Sequence, residues 1–136
     1  MDRTETDSIR LTVPATSAAV RIARARAAGL ATRAGFTYHE VEQLRLAVGE
    51  AAALLAPEPE GDGTLAVTFD IEPDGVRIEL HLTDGGSTSG RQRVPGEVPT
   101  VAAAVLDAAV DAWGVSDEGR RLVLHKRMSD TDSDDD

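Results

Sequence analysis

Residues 38–57, YHEVEQLRLAVGEAAALLAP, constrain this chain more than any other stretch. Val41, Leu44, Val48, Ala51, Ala52 and Leu55 recur at three- and four-residue spacing, the period of an amphipathic helix. Thr37 stands at the N-cap position with Glu40 three residues on, the arrangement of a capping box, and Pro57 ends the helix. The opposite side, Gln43, Leu46, Ala47, Glu50 and Leu54, is half apolar and holds one carboxylate. A helix with one face in water is polar there. This one is therefore expected to be covered on both faces: one by a sheet, the other by a loop, ligand or partner. Gly49 costs about 1 kcal/mol against alanine in a helix interior, which points to a neighbour that needs its small size.

The rest of the chain supplies the sheet. Residues 8–13 alternate, Ile9, Leu11 and Val13 against Arg10 and Thr12, as in a half-buried strand that Pro14 stops. A helix capped by Thr16 or Ser17 follows to about Ala34, and Gly35 closes it. Val20, Ala23, Ala27, Leu30 and Ala31 face inward, while Arg21, Arg24, Arg26 and Arg33 punctuate the outer faces. After a polar connector at 57–63, Leu65, Val67, Phe69 and Ile71 alternate. Asp74-Gly75 favours a tight hairpin, and Val76, Ile78, Leu80 and Leu82 answer on the return strand. Residues 84–98 lack periodicity and are rich in Gly, Ser and Arg; so long a loop is a functional candidate. A third helix is expected from Pro99 or Thr100 to about Ala112, with Val101, Ala104, Val105, Ala108 and Val110 as its apolar set. A strand at 112–116, a turn at 117–119 and a last strand at 121–128, with Leu122 and Leu124 inward, complete the order β-α-α-β-β-loop-α-β-β. Grouped strands predict an α+β fold: a two-layer α/β sandwich with a mixed, mostly antiparallel sheet and helices on one face.

With 136 residues, one domain is expected over 8–128, with 1–7 frayed and the acidic tail 129–136 solvated. No apolar run reaches the ~18 residues of a membrane span, and the first residues lack the apolar core of a signal peptide. The absence of cysteine excludes disulfides and thiolate metal sites. A cytoplasmic protein without a membrane partner is expected. The net charge of −10 opposes direct nucleic-acid binding. His39, His81 and His125 lack metal-ligand spacing, so no metal site is expected of them. No serine sits in a nucleophile elbow.

Three short segments, in this element order, resemble a known family. LRLAVGEA at 44–51 resembles the start of an N-box helix, LTDGGS at 82–87 a first glycine box, and DEGRRLVLHK at 117–126 a closing hairpin. The chain resembles the histidine-kinase-like ATPase domains of the anti-sigma regulatory factor type, the group of the anti-sigma B and anti-sigma F serine-protein kinases of bacteria. The resemblance spans roughly 8–128. It implies a Bergerat-type sandwich, Glu50 as general base, Asp84 as acceptor for the adenine amino group, and Gly86 as the first glycine beyond it. It further implies a homodimer, a sigma factor partner, and release by an anti-anti-sigma factor in a stress response.

The chain also departs from that pattern. Four residues beyond Glu50 the family places an asparagine that holds magnesium; here Leu54 offers no oxygen to a hard cation that binds at about 2.1 Å. The second glycine of the first box falls at Thr88. The later phosphate-wrapping box reads GEVPT before Val101, with Pro99 where N–H donors are wanted. The expected function is thus an anti-sigma factor that sequesters a sigma factor by protein–protein binding and needs no cofactor. Arg21, Arg24 and Arg26 are its candidate contact, and Asp84, Gly86 and Leu54 form a degenerate ATP site. The alternative is a serine-protein kinase acting on an anti-anti-sigma factor, with Glu50 as base and ATP and magnesium as cofactors. A third reading keeps nucleotide as a regulatory ligand without transfer.

Overall fold

Among the described residues, period-two alternation becomes a five-stranded sheet, and period-3.6 patterning becomes three helices laid on it. The computed structural model describes residues 7–55, 63–83 and 98–129. The elements are β1 (Asp7–Pro14), α1 (Ser17–Ala34), α2 (Tyr38–Leu55), β2 (Thr64–Glu72), β3 (Gly75–Thr83), α3 (Thr100–Ala109), β4 (Ala112–Ser116) and β5 (Arg121–Arg127).

The strand order is β1-β2-β3-β5-β4, and every neighbouring pair is antiparallel. Among the described residues the sheet is therefore antiparallel throughout and not mixed. The chain returns through α3 to β4, which runs as β3 does, but β5 lies between the two. Register sets Val67 opposite Leu80, Phe69 opposite Ile78, and Ile78 opposite Leu124. These residues share one face and one core with Leu44, Val48 and Leu106 of the helices. The α+β two-layer sandwich is borne out. The sheet's other face is polar: Arg77 lies 3.5 Å from Asp70 and 3.2 Å from Glu79, and Arg121 lies 3.2 Å from Glu79.

Thr16 caps α1, accepting from the Ala18 N–H at 3.3 Å, and Gly35 ends it at φ +106°, a conformation that glycine adopts without strain. The buried stripe of α1 is all alanine: Ala19, Ala23, Ala27 and Ala31. Val20 and Leu30, expected inward, are half-buried beside it. Side chains this small let α1 lie close to α2. An alanine Cβ at Gly49 would come within 2.8 Å of Arg24 Cδ, so the small residue expected on α2 makes room for the aliphatic stem of an arginine on α1.

Several boundaries and faces differ from the sequence reading. Asp7 is not frayed but pairs with Ile71, and Ser129 is bonded to Glu40. The two loop residues of the hairpin are Pro73 and Asp74, because Gly75 already pairs with Glu72. Gly75 is needed for a close approach instead: a Cβ there would run into the Lys126 carbonyl of β5. Helix α3 stops at Ala109 and buries Ala102, Leu106 and Ala109, whereas Val101 is 74% exposed and Ala104 and Ala108 face solvent. With Asp107 its only charge, α3 is apolar on nearly every side, so periodicity did not single out a face. On the second face of α2, Ala47 is buried in the core, Gln43, Glu50 and Leu54 are half-buried, and Leu46 is 54% exposed. The two-sided cover expected for α2 is thus incomplete at Leu46 among the described residues. Pro57 and the connector up to 62 lie outside them. No helix among the described residues is long and apolar enough to cross a membrane.

Candidate functional site

The start of α2 is held from both sides of one carboxylate. Glu40 Oε1 accepts from the Thr37 N–H at 2.8 Å, and Thr37 Oγ1 accepts from the Glu40 N–H at 3.2 Å, which closes the expected capping box. Glu40 Oε2 accepts from the Ser129 N–H at 2.8 Å. Burial works to raise the Glu40 pKa, but the hydrogen bonds from Thr37 and Ser129 outweigh it and hold the carboxyl below its ordinary value. This clip fixes the register of α2 against the end of β5, and hence the position of every residue further along the helix.

Glu50 and Leu54 lie one turn apart on the same side of α2. Glu50 is half-buried, and its carboxylate forms no ion pair among the described residues. Leu54 packs its side chain against the core. A carboxylate so placed can accept a proton or a hydrogen bond. It does not make a magnesium site with Leu54, because a hydrocarbon lies where a second hard oxygen would be required. No group of three or more His, Asp or Glu able to hold a metal occurs among the described residues. Asp84, Gly86, Thr88 and the rest of the long loop up to residue 97 lie outside the described residues.

The start of α3 is more permissive than its proline suggests. Pro99 is the N-cap residue, and the first helical bond runs from the Ala103 N–H to the Pro99 carbonyl at 2.9 Å. The missing proline N–H thus falls outside the helix, while the N–H groups of Thr100, Val101 and Ala102 have no partner within the helix. Such an end suits an anion electrostatically. The donor set therefore fits a phosphate better than it fits the metal that transfer would require.

The arginines of α1 do not form one row. Arg21, Arg24 and Arg26 are all exposed, and none forms an ion pair among the described residues. Arg24 lies over Gly49 of α2. Arg26 instead lines, with Arg33, a groove of about 430 Å³ whose apolar walls include Ile22 and Leu30 of α1 and Leu11 of β1. Sequence reasoning did not single out Ile22; it put Leu11 with Ile9 and Val13 on one face of a half-buried strand, and Leu11 does pack against the edge of the core. The available signal was the spacing of Ile22, Arg26, Gly29 and Arg33 at i, i+4, i+7 and i+11, a second seam beside the alanine one. Leu11 is only half-buried because β1 is an edge strand.

No family model matches the chain. It is similar to the serine-protein kinase RsbW of Halalkalibacterium halodurans, with 34% identity over 83 residues, 60% of this chain and 50% of that protein. It is also similar to RsbW of Listeria innocua, 35% identical over 85 residues (60% of this chain, 53% of that protein). RsbW of Bacillus velezensis is 35% identical over 88 residues (62% and 54%). The chain spans about half the length of the curated relatives it matches. These relatives carry the serine-protein kinase name to which the three sequence segments pointed.

Proposed function

We propose that this chain is a cytoplasmic anti-sigma factor that sequesters a sigma factor by direct binding and is released by an anti-anti-sigma factor, acting as a homodimer. The observation that carries the reading is Leu54, packed on the core one turn from Glu50 where catalysis would need a metal ligand. Phosphoryl transfer is almost wholly positioning and charge neutralisation around that metal. Sequestration needs only a complementary surface of ordinary size. The names of the relatives support a role of this type. An acidic protein also suits the basic surface of a transcription factor, chiefly by speeding encounter. The test is calorimetry or co-purification with the sigma factors encoded in the same genome; binding to none of them rejects the reading.

The kinase reading fits the relatives' names equally, and the N–H groups at the start of α3, which have no partner within the helix, support it further. It would place Glu50 as base and phosphate at that helix start, with ATP and magnesium as cofactors. Titration with magnesium and ATP, followed by mass analysis of an added anti-anti-sigma protein, separates the three readings. Phosphorylated product supports the kinase. Nucleotide binding without product supports a regulatory ligand, and no binding leaves sequestration alone.

A further inference from the structure

We propose that the acidic segment 130–136 docks back into the groove between α1 and β1, with its aspartates against Arg33 and Arg26.

Helix α1 carries four arginines and no acidic residue, in a chain whose net charge is −10. None of the four has an ion-pair partner among the described residues. Two of them, Arg26 and Arg33, line the same groove seven residues apart, which is about 10 Å along a helix. The densest negative charge in the sequence is SDTDSDDD, from Ser129 onward.

The structure sets where that segment begins. Met128 donates its N–H to the Asp74 carbonyl at 2.9 Å, and its Sδ lies 3.6 Å from where a Cβ on Gly35 would be. The Ser129 N–H is held at 2.8 Å by Glu40. The chain therefore leaves the described fold at the junction of α1 and α2, two residues beyond Arg33. This is also the end of the sheet where β1 begins, since Asp7 pairs with Ile71, Glu72 with Gly75, and Gly75 with Arg127. Seven extended residues reach at most about 25 Å, enough to pass Arg33 and continue to Arg26. In an extended segment Asp130, Asp132 and Asp134 would share one side. Arg33 also offsets the partial negative charge at the end of α1. So short a tether favours the chain's own groove over that of a second copy. An occupied groove hides Arg26, so the segment would act as a built-in competitor of any protein that uses this surface.

The chain has no cysteine, so Asp134→Cys gives a single attachment point for a nitroxide label. In the labelled, isotope-enriched full chain, amide signals of residues 22–33 should lose intensity at low salt. They should recover as added salt shortens the screening length. The loss should vanish in the Arg26→Gln/Arg33→Gln variant, whose dispersed spectrum would show that it is folded. The combined Asp130→Asn, Asp132→Asn, Asp135→Asn and Asp136→Asn variant should abolish it equally with α1 untouched. Signal loss confined to residues next to Ser129 overturns the proposal, as does loss that survives either set of substitutions. Loss seen only when label and isotope are on different molecules overturns it in favour of a second copy.

Discussion

Glu40 and Ser129 are 89 residues apart in sequence, yet the Ser129 N–H donates to Glu40 Oε2 at 2.8 Å. The same carboxylate accepts from Thr37 at 2.8 Å and is 8% exposed. Removing a capping residue costs about 1 kcal/mol and losing a charged hydrogen bond about 1.5–3, so Glu40→Ala should destabilise the fold by about 2–4 kcal/mol at neutral pH. The folded carboxyl sits below its ordinary value of 4.5. Its contribution is therefore fully present above that value and lost as pH falls through the folded pKa. Urea unfolding of parent and Glu40→Gln at pH 7 and in acid should show the gap between them narrowing in acid. A gap independent of pH would mean that the hydrogen bonds are not charge-assisted.

Gly75 illustrates a different constraint. It stands at the start of β3, where a Cβ would meet backbone atoms of Lys126 and Arg127 on β5 and not the movable end of a side chain. Backbone gives way only if the strands separate, so Gly75→Ala should cost about 1–3 kcal/mol, the range for overpacking. A lowered urea midpoint with an unchanged slope is expected. No change would show that the β3–β5 register at this end is looser than drawn.

The sequence was most informative where one signal had no rival. Alternation in β2 and β3, the Thr37–Glu40 box and the glycine after α1 led directly to the elements observed. It failed where two solutions had the same pattern. In α3 any face could be the buried one, because Asp107 is its only charge, and packing against α2 and β4 settled the matter. On α1 the alanine stripe and the Ile22–Arg26–Arg33 seam have the same period, and only the position of edge strand β1 shows that the second is a groove. The site was half legible. Glu50 and Leu54 share a face by spacing alone, whereas the residues expected to join them, Asp84 and Gly86, lie outside the described residues.

Leu54 is the position on which the choice between binding and transfer turns. Leu54→Asn places an amide oxygen one turn from Glu50 and removes half-buried hydrocarbon from the core edge, at a cost of about 1–2 kcal/mol. In the parent, magnesium should leave nucleotide affinity unchanged. In the variant, magnesium should tighten it. Isothermal titration with ATP, with and without the metal, reads both. A parent that binds nucleotide more tightly with magnesium would show that the missing amide is supplied from elsewhere in the chain.

Arg24 and Gly49 offer the cleanest test of how α1 packs on α2. Alanine at 49 should gain about 1 kcal/mol of helix propensity, but its Cβ would lie 2.8 Å from Arg24 Cδ. The clash is with a flexible stem that is exposed at its far end, so Arg24 can swing aside and give up its packing on α2. In the parent background the two effects oppose, and Gly49→Ala should shift Tm by little. In an Arg24→Ala background nothing opposes the gain, and the same substitution should raise Tm by about 3–5 °C. The difference between the two shifts is the coupling energy of the pair. Equal shifts in both backgrounds would mean that the arginine stem does not rest on the glycine in solution.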